Sequence, residues 1–445
     1  MDDKSPSTIQ QPLIDQNLLN ACIHCGLCLP ACPTYLATGR ELESPRGRIY
    51  LLNLWQQGKE PFSDRMAEHL DSCLGCFGCQ TACPSGVNYE AIFNQAKAQV
   101  NTVTPFWLKF PRYLAFKWLL PNDALLKLAG NFLRFWQQSR ADKALNLALA
   151  PFAKVWAIKE ILRWQSLMPA IPTHKDLPSS NIGTNEKAEA VYLFKGCIMD
   201  IFYNQVNRES IGLLALSASS VLVPKQTCCG ALALHSGERQ LARRLAQDNI
   251  DKFAHSSGSI VVTASGCAAM LKSYPELFDK DDEWHDKAKV FSSRIQDLPE
   301  FLAKRDFSIL NKNVNNLTKP ISIGYHAACH LSHAQGIRLA PKSLLENFAQ
   351  AINAIAGKQV IKLIPLMEEE HCCGSAGIYN LGHPVLSEKI LNRKMEMIKN
   401  SGVSTIVTTN PGCMLQLEAG IKQQGLDIQV LHLATMLSKA YLNSF

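Results

Sequence analysis

The chain has 445 residues, 47% of them apolar, with sixteen cysteines and a net charge of +7. That length suits about three domains, and the apolar share is that of an ordinary soluble globular protein. No apolar run reaches the ~18 residues of a spanning helix, and the polar start MDDKSPSTIQQPLIDQ lacks a signal-peptide core, so the expected setting is a reducing cytoplasm where dense thiols mean metal or redox chemistry.

Residues 1–21 read as a tail leading into a helix, with Leu13, Leu18, Leu19 and Ala21 as its apolar positions. CIHCGLCLPACP follows at 22–33, and CLGCFGCQTACP repeats its pattern at 73–84. Each runs C-x-x-C-x-x-C-x-x-x-C-P, the spacing in which three cysteines bind one iron-sulfur cube and the fourth binds the cube of the other run. On that rule Cys22, Cys25, Cys28 and Cys83 hold one 4Fe-4S cluster, and Cys73, Cys76, Cys79 and Cys32 hold the other. Gly26, Gly75 and Gly78 suit the tight backbone this needs. Structural zinc would instead group cysteines in pairs with a longer gap between them.

Between the runs, Ser44 and Pro45 make an N-cap and first helical position, opening a helix that carries Ile49, Leu51, Leu52, Leu54 and Trp55 to a stop near Gly58. Arg46 and Arg48 are either solvated residues of its first turn or charges that tune a neighbouring cluster. SDRMAEHLDSC and SGVNYEAIFNQAKAQV read as two more helices, closing an all-helical ferredoxin-like domain over residues 1–100.

Residues 101–189 change character. Ten bases against three acids between 101 and 165 account for the whole +7, and Trp107, Trp118, Trp136, Trp156 and Trp164 are five of the seven tryptophans. Short amphipathic helices broken by Pro105, Pro111 and Pro121 are expected, lying either in a bilayer's headgroup region or against a partner. No nucleic-acid-binding signature accompanies the charge. The polar stretch from Met168 to Glu189 reads as a linker.

From Ala190 the chain repeats itself. AVYLFKGC matches ISIGYHAAC, SVLVPKQTCCG matches IKLIPLMEEEHCCG, and SIVVTASGC matches STIVTTNPGC, which aligns Cys197, Cys228, Cys229 and Cys267 with Cys329, Cys372, Cys373 and Cys413. Short apolar runs alternating with helices predict two α/β domains, 190–310 and 320–445, each with a parallel sheet. The cysteines stand at the carboxyl ends of the runs, where such sheets bind ligands. Adjacent cysteines diverge in extended backbone, which favours a polynuclear iron-sulfur centre in each half, with zinc as the alternative. The fold class is thus α+β multidomain: a helical two-cluster domain, a helical linker, and two α/β CCG domains.

The CCG repeat behind a two-cluster module resembles the heterodisulfide-reductase-like cysteine-rich family. Within it, ACIHCGLCLPACPTYLATGRELESPRGRIYLL, CLGCFGCQTACPSGVNY, TASGC and CCGSAG are similar to the iron-sulfur subunits of glycolate oxidases. The resemblance implies a complex, peripheral on the inner face of the cell membrane, in which FAD-bearing partner subunits oxidise glycolate to glyoxylate and also act on D-lactate. This chain would then pass electrons towards a quinone-type acceptor and hold no catalytic residue. It has neither G-x-G-x-x-G nor a nucleophile elbow. The fuller family motif ends C-x-x-C, whereas here it reads CAAM at 267–270 and CMLQ at 413–416, leaving four thiols per half. His326, His330 and His371 are further candidate ligands in the second half, or hydrogen-bonding and surface residues. Alternatives are an iron-sulfur subunit of anaerobic glycerol-3-phosphate dehydrogenase or of a lactate-utilisation complex, a thiol-disulfide reductase, and a structural zinc scaffold.

Overall fold

The computed structural model describes residues 14–152, 158, 162–163, 165, 168–185, 188–305 and 320–441. Leu13, Lys154, Trp156, Lys159, Glu160 and Trp164 lie outside them. The N-terminal part is helical. Ser44 caps the helix Pro45–Gln56, its hydroxyl accepting from the Gly47 N–H with Pro45 in the first turn. Ser63 and Asn88 cap Asp64–Asp71 and Tyr89–Val103 in the same way. Ile49, Leu52, Leu70, Phe77, Ile92 and Phe93 form the core between these helices, and the cysteine loops lie against it.

Two sheets follow. The first contains β1 (Ser180–Ile182), β2 (Val191–Phe194), β3 (Ser220–Leu222), β4 (Ile260–Val262) and β5 (Ile295–Asp297) in the order β1-β3-β2-β4-β5. The second contains β6 (Ile321–Tyr325), β7 (Ile361–Leu363), β8 (Thr405–Thr408) and β9 (Gln429–His432) in the order β7-β6-β8-β9. Apart from β1, which runs antiparallel along β3, every pairing is parallel and the two orders coincide. β1 comes from the stretch expected to be linker; Asn181 faces Val221 on an edge that would otherwise be unpaired.

The halves pack as mutual images. Helix Asn204–Ala215 of the first lies on Leu433–Tyr441 of the second, and Leu298–Ala303 lies on Leu339–Ala356, so one apolar core runs through both sheets from Val191 to Leu437. Polar contacts lock the same interface: the Ser265 hydroxyl donates to Thr409 Oγ1 (2.8 Å), the Gly266 N–H to Asn410 Oδ1 (3.1 Å) and Gln335 Nε2 to Asp297 Oδ2 (2.9 Å).

In the basic aromatic segment, helix Phe106–Leu114, the helical turn Ala115–Leu119 and helix Asp123–Gln138 pack Phe116, Leu126 and Gly130 inward, Gly130 against Ile201. They leave Phe106, Trp107, Phe110, Trp118, Phe132 and Phe135 outward. Pro111, expected to break the chain here, sits inside Phe106–Leu114. The carbonyl it deprives of its usual helical donor belongs to Trp107, a residue 73% exposed. No helix among the described residues is long and apolar enough to cross a membrane.

Candidate metal centres

The two N-terminal cysteine loops share one backbone device. The second residue after the first cysteine and the fourth after it are left-handed in both: His24 (φ 56°) and Gly26 (φ 86°) in one, Gly75 (φ 62°) and Phe77 (φ 60°) in the other. Left-handed φ costs energy for His and Phe, and holding it twice at matched positions curls successive thiols to one side. Gly75 is further required by space, because a Cβ there would lie 2.7 Å from the Phe93 ring.

The thiols meet across the two runs. Burial raises the Cys22 thiol and the neighbouring Cys83 and Cys25 add to the rise; burial pushes Cys28 up to about 11. Cys32, Cys73, Cys76 and Cys79 line one small cavity with Arg48 and Tyr89. Burial pushes Cys76 and Cys79 far above the ordinary thiol value, and Cys32 and Cys73 add to it. Buried thiols that resist ionisation beside one another are poor partners alone and good ligands, since a bound metal supplies the charge that stabilises thiolates. All sixteen cysteines are free, as metal binding requires.

Of the two arginines, Arg46 is the more exposed, pairing with Glu41 (2.6 Å) and donating to the His24 carbonyl (3.0 Å). Arg48 is buried. Its Nε donates to the His69 carbonyl (2.7 Å), and its NH2 group reaches Glu43 (2.9 Å), Ser72 (2.9 Å) and Thr34 (3.2 Å). Burial would lower its pKa, but the negative charge of Cys73, Tyr89, Cys32 and Glu43 raises it instead. Burial works to raise Glu43 too, yet hydrogen bonds from Ser72 and His69 and the Arg48 charge hold it below the usual carboxylate range.

The eight cysteines of the repeat all line a single cavity of about 560 Å³ between the two sheets. In the first half Cys197 Sγ lies 3.6 Å from Cys228 and Cys229 Sγ 3.3 Å from Cys267, and Cys228 and Cys229 are themselves in hydrogen-bond contact. The second half repeats the chain Cys329, Cys372, Cys373, Cys413. The expected divergence of adjacent thiols is thus absent. The CCG backbone is not a strand but a turn into left-handed Gly230 (φ 89°) and Gly374 (φ 90°), which lets neighbours converge. Four thiols this close suit a single tetrahedral ion, whose ligand sulfurs stand about 3.8 Å apart, as well as a cluster.

Among the histidines singled out, His326 stands with Cys373 and Cys413, their ligand atoms all within 4.8 Å of one another. His330 Nδ1 lies 3.4 Å from Cys329 Sγ. His371 engages Glu368 instead (2.8 Å).

The helical module meets the second half at its cysteines. Leu74 packs in one cluster with Cys329, Cys372, Tyr379 and Ile390, with Cys76 against it. The Cys329 charge raises Cys76, as that of Cys76 raises Cys372. Tyr379 donates to the Ser72 carbonyl (2.9 Å), His383 pairs with Asp71 (2.9 Å), and Thr81 meets His333 (3.0 Å). The rings of Phe93, His235, His330 and Phe77 run in contact between the module and the cavity, with centroids 5.5–5.8 Å apart. Reading the chain in order did not reveal His235 or this bridge. The available signal was the repeat itself, since two copies related by a rotation bring their strand ends to one side.

Comparison with known proteins agrees with this architecture. Residues 18–87 match the family described as "4Fe-4S dicluster domain", and 191–272 and 323–418 each match "Cysteine-rich domain". The chain is 33% identical over 442 residues to "Probable glycolate oxidase iron-sulfur subunit" of Bacillus subtilis (strain 168), covering 96% of this chain and 95% of that protein. It is 30% identical over 406 residues to "Glycolate oxidase iron-sulfur subunit" of Escherichia coli (strain K12), covering 90% of each. "Lactate utilization protein A" of Geobacillus sp. (strain WCH70) is 31% identical over 250 residues, 56% of this chain and 98% of that protein. With both kinds of cysteine module in place and two relatives matched nearly end to end, the chain belongs to the glycolate oxidase iron-sulfur subunits and is an iron-sulfur electron-transfer subunit.

Proposed function

We propose that this chain links FAD-bearing partner subunits, which oxidise glycolate to glyoxylate and also D-lactate, to a quinone-type acceptor. The observation that carries the reading is the junction at which Cys76 packs beside Cys329 and Cys372, so that the donors of the helical module adjoin those of the shared cavity. Two 4Fe-4S clusters, when bound, supply one-electron transfer. Cys22, Cys25, Cys28 and Cys83 hold the one farther from the cavity, and Cys32, Cys73, Cys76 and Cys79 the nearer. Cys197, Cys228, Cys229 and Cys267 form one further site, and Cys329, Cys372, Cys373 and Cys413 another, each for iron-sulfur or zinc. The division into residues 1–100, 101–189, 190–310 and 320–445 follows these sites. Arg48 holds a permanent positive charge beside the nearer set, and the apolar packing around Leu74 and Phe77 keeps water from it.

The outward aromatic face of residues 106–135 supports docking, either to FAD-bearing subunits or to the inner face of the cell membrane. The match to a lactate utilization protein favours a second reading, in which the same wire serves a lactate-oxidising complex.

The test is anaerobic co-purification with the FAD-bearing subunits. About eight irons are expected in the helical module. Cys373→Ser should stop quinone reduction while glycolate still bleaches the flavin. Iron-free protein, or quinone reduction unchanged by Cys373→Ser, overturns the proposal, and the ratio of glycolate to D-lactate turnover decides between the two readings.

A further inference from the structure

The two halves of the repeat superimpose strand for strand, so residues that differ at matched positions next to the thiols are informative. β2 and β6 each end just before a site cysteine, and the third residue before that cysteine is Phe194 in the first half and His326 in the second. Phe194 is fully buried in apolar packing near Phe253 and beside Cys228 and Cys229. His326 is equally buried, and neither of its ring nitrogens makes a hydrogen bond. Burying both polar nitrogens without a partner is costly, and native structures rarely do it without a ligand. One ring nitrogen, Cys373 Sγ and Cys413 Sγ lie within 4.8 Å of one another, a grouping that could hold one metal ion.

A second matched pair points the same way. The buried positions of helix Arg239–Lys252 align with those of Pro384–Ser401, placing Asn249 opposite Lys394. Asn249 donates to the Cys228 carbonyl and accepts from the Thr227 N–H, a neutral brace for the loop. Lys394 is 3% exposed, donates to the Glu368 carbonyl, and its charge interacts with Cys372, Cys373 and Cys413. The second change makes the surroundings of the second site less negative than those of the first.

We infer that the two halves hold chemically different centres, and that His326 is a nitrogen ligand of the second centre, with Cys373 and Cys413, where the first centre has sulfur donors only. This rests on the reading that the repeat cysteines bind metal. A buried ammonium near the second centre favours its reduced state relative to the first. The helical module brings Cys76 against Cys329 and Cys372 of the second half, so the centre adjoining Cys76 is the nitrogen-bearing one.

The experiment uses the full chain purified anaerobically with its native metal, grown with 14N- or 15N-histidine so that no substitution is needed for the first reading. Metal analysis of Cys229→Ser and Cys373→Ser identifies what each half holds. Pulsed EPR then reads an iron centre, and X-ray absorption at the zinc edge reads zinc. The expected result is one directly bound histidine nitrogen in the unsubstituted protein, lost in His326→Phe and retained in His330→Phe. His326→Cys should keep the metal and, for an iron centre, lower its reduction potential. A metal in the second half without a bound nitrogen, or a nitrogen signal that survives His326→Phe and disappears in His330→Phe, overturns the inference while leaving the metal reading intact. Metal content unchanged by both cysteine substitutions overturns the metal reading itself and the inference with it.

Discussion

Arg48→Gln tests how far the helical module depends on one buried charge. The guanidinium is 2% exposed and makes four contacts, to Glu43, Ser72, Thr34 and the His69 carbonyl, while lining the cavity of Cys32, Cys73, Cys76 and Cys79. Removing one member of a buried pair strands the other, here Glu43, at about 3–5 kcal/mol. For a unit of this size that is a fall in melting temperature on the order of 10 °C or more. The same charge should set the potential of a cluster held in that cavity. At roughly 8 Å and an effective dielectric near 20, a unit charge contributes about 2 kcal/mol, or roughly 90 mV for a one-electron couple. Thermal unfolding and an EPR-monitored redox titration of the anaerobic protein read the two effects, both downward. The double variant Glu43→Gln with Arg48→Met restores the charge balance and should recover much of each. If Arg48→Gln leaves both quantities where they were, or the second change deepens the loss, the arginine is not the counter-charge described here.

Asp297 predicts a pH dependence. Burial pushes its carboxyl up to about 7, with the Gln335 and Lys272 contacts opposing. The folded chain therefore holds a proton that the unfolded chain releases near pH 3.9. Its contribution to stability is full below about pH 4 and is lost as pH rises to about 7, at most about 4 kcal/mol. Asp297→Asn mimics the protonated acid and should flatten the melting temperature between pH 5 and 8; an equally steep profile in the variant contradicts the assignment. On the aromatic face, Phe106 (70% exposed) stacks on Phe110 beside Trp107 (73% exposed). Replacing all three by serine should release the chain from membrane vesicles or from the FAD-bearing subunits without changing its iron content, and survival of both associations excludes docking through this face.

Much of this was legible in the chain as written, because thiol chemistry leaves a local record. Ligand spacing in CIHCGLCLPACP is set by loops of two or three residues, the Ser44-Pro45 helix start is a matter of neighbouring atoms, and a duplicated sequence yields a duplicated strand order. Local spacing misled where backbone conformation intervened: the CCG turn converges thiols that an extended chain would separate, and Pro111 sits inside a helix whose Trp107 turn is exposed. Arg46 and Arg48, two residues apart on one helix turn, became a half-exposed ion pair and a buried counter-charge. The partners Glu43, Thr34, His69 and Ser72, gathered from three elements around Arg48, distinguish them.

The sequence by itself determined the ligand chemistry, since three thiols at fixed short spacing converge locally and the fourth of each run is left for the matching run. The tertiary structure alone decided how the centres meet. Rotating one half against the other brings eight cysteines from positions up to 216 residues apart to one cavity, and docks Cys76 on Cys329. It also separates Phe194 from His326 in meaning, because a ring nitrogen becomes a candidate ligand only once burial removes its water and packing sets two thiols beside it.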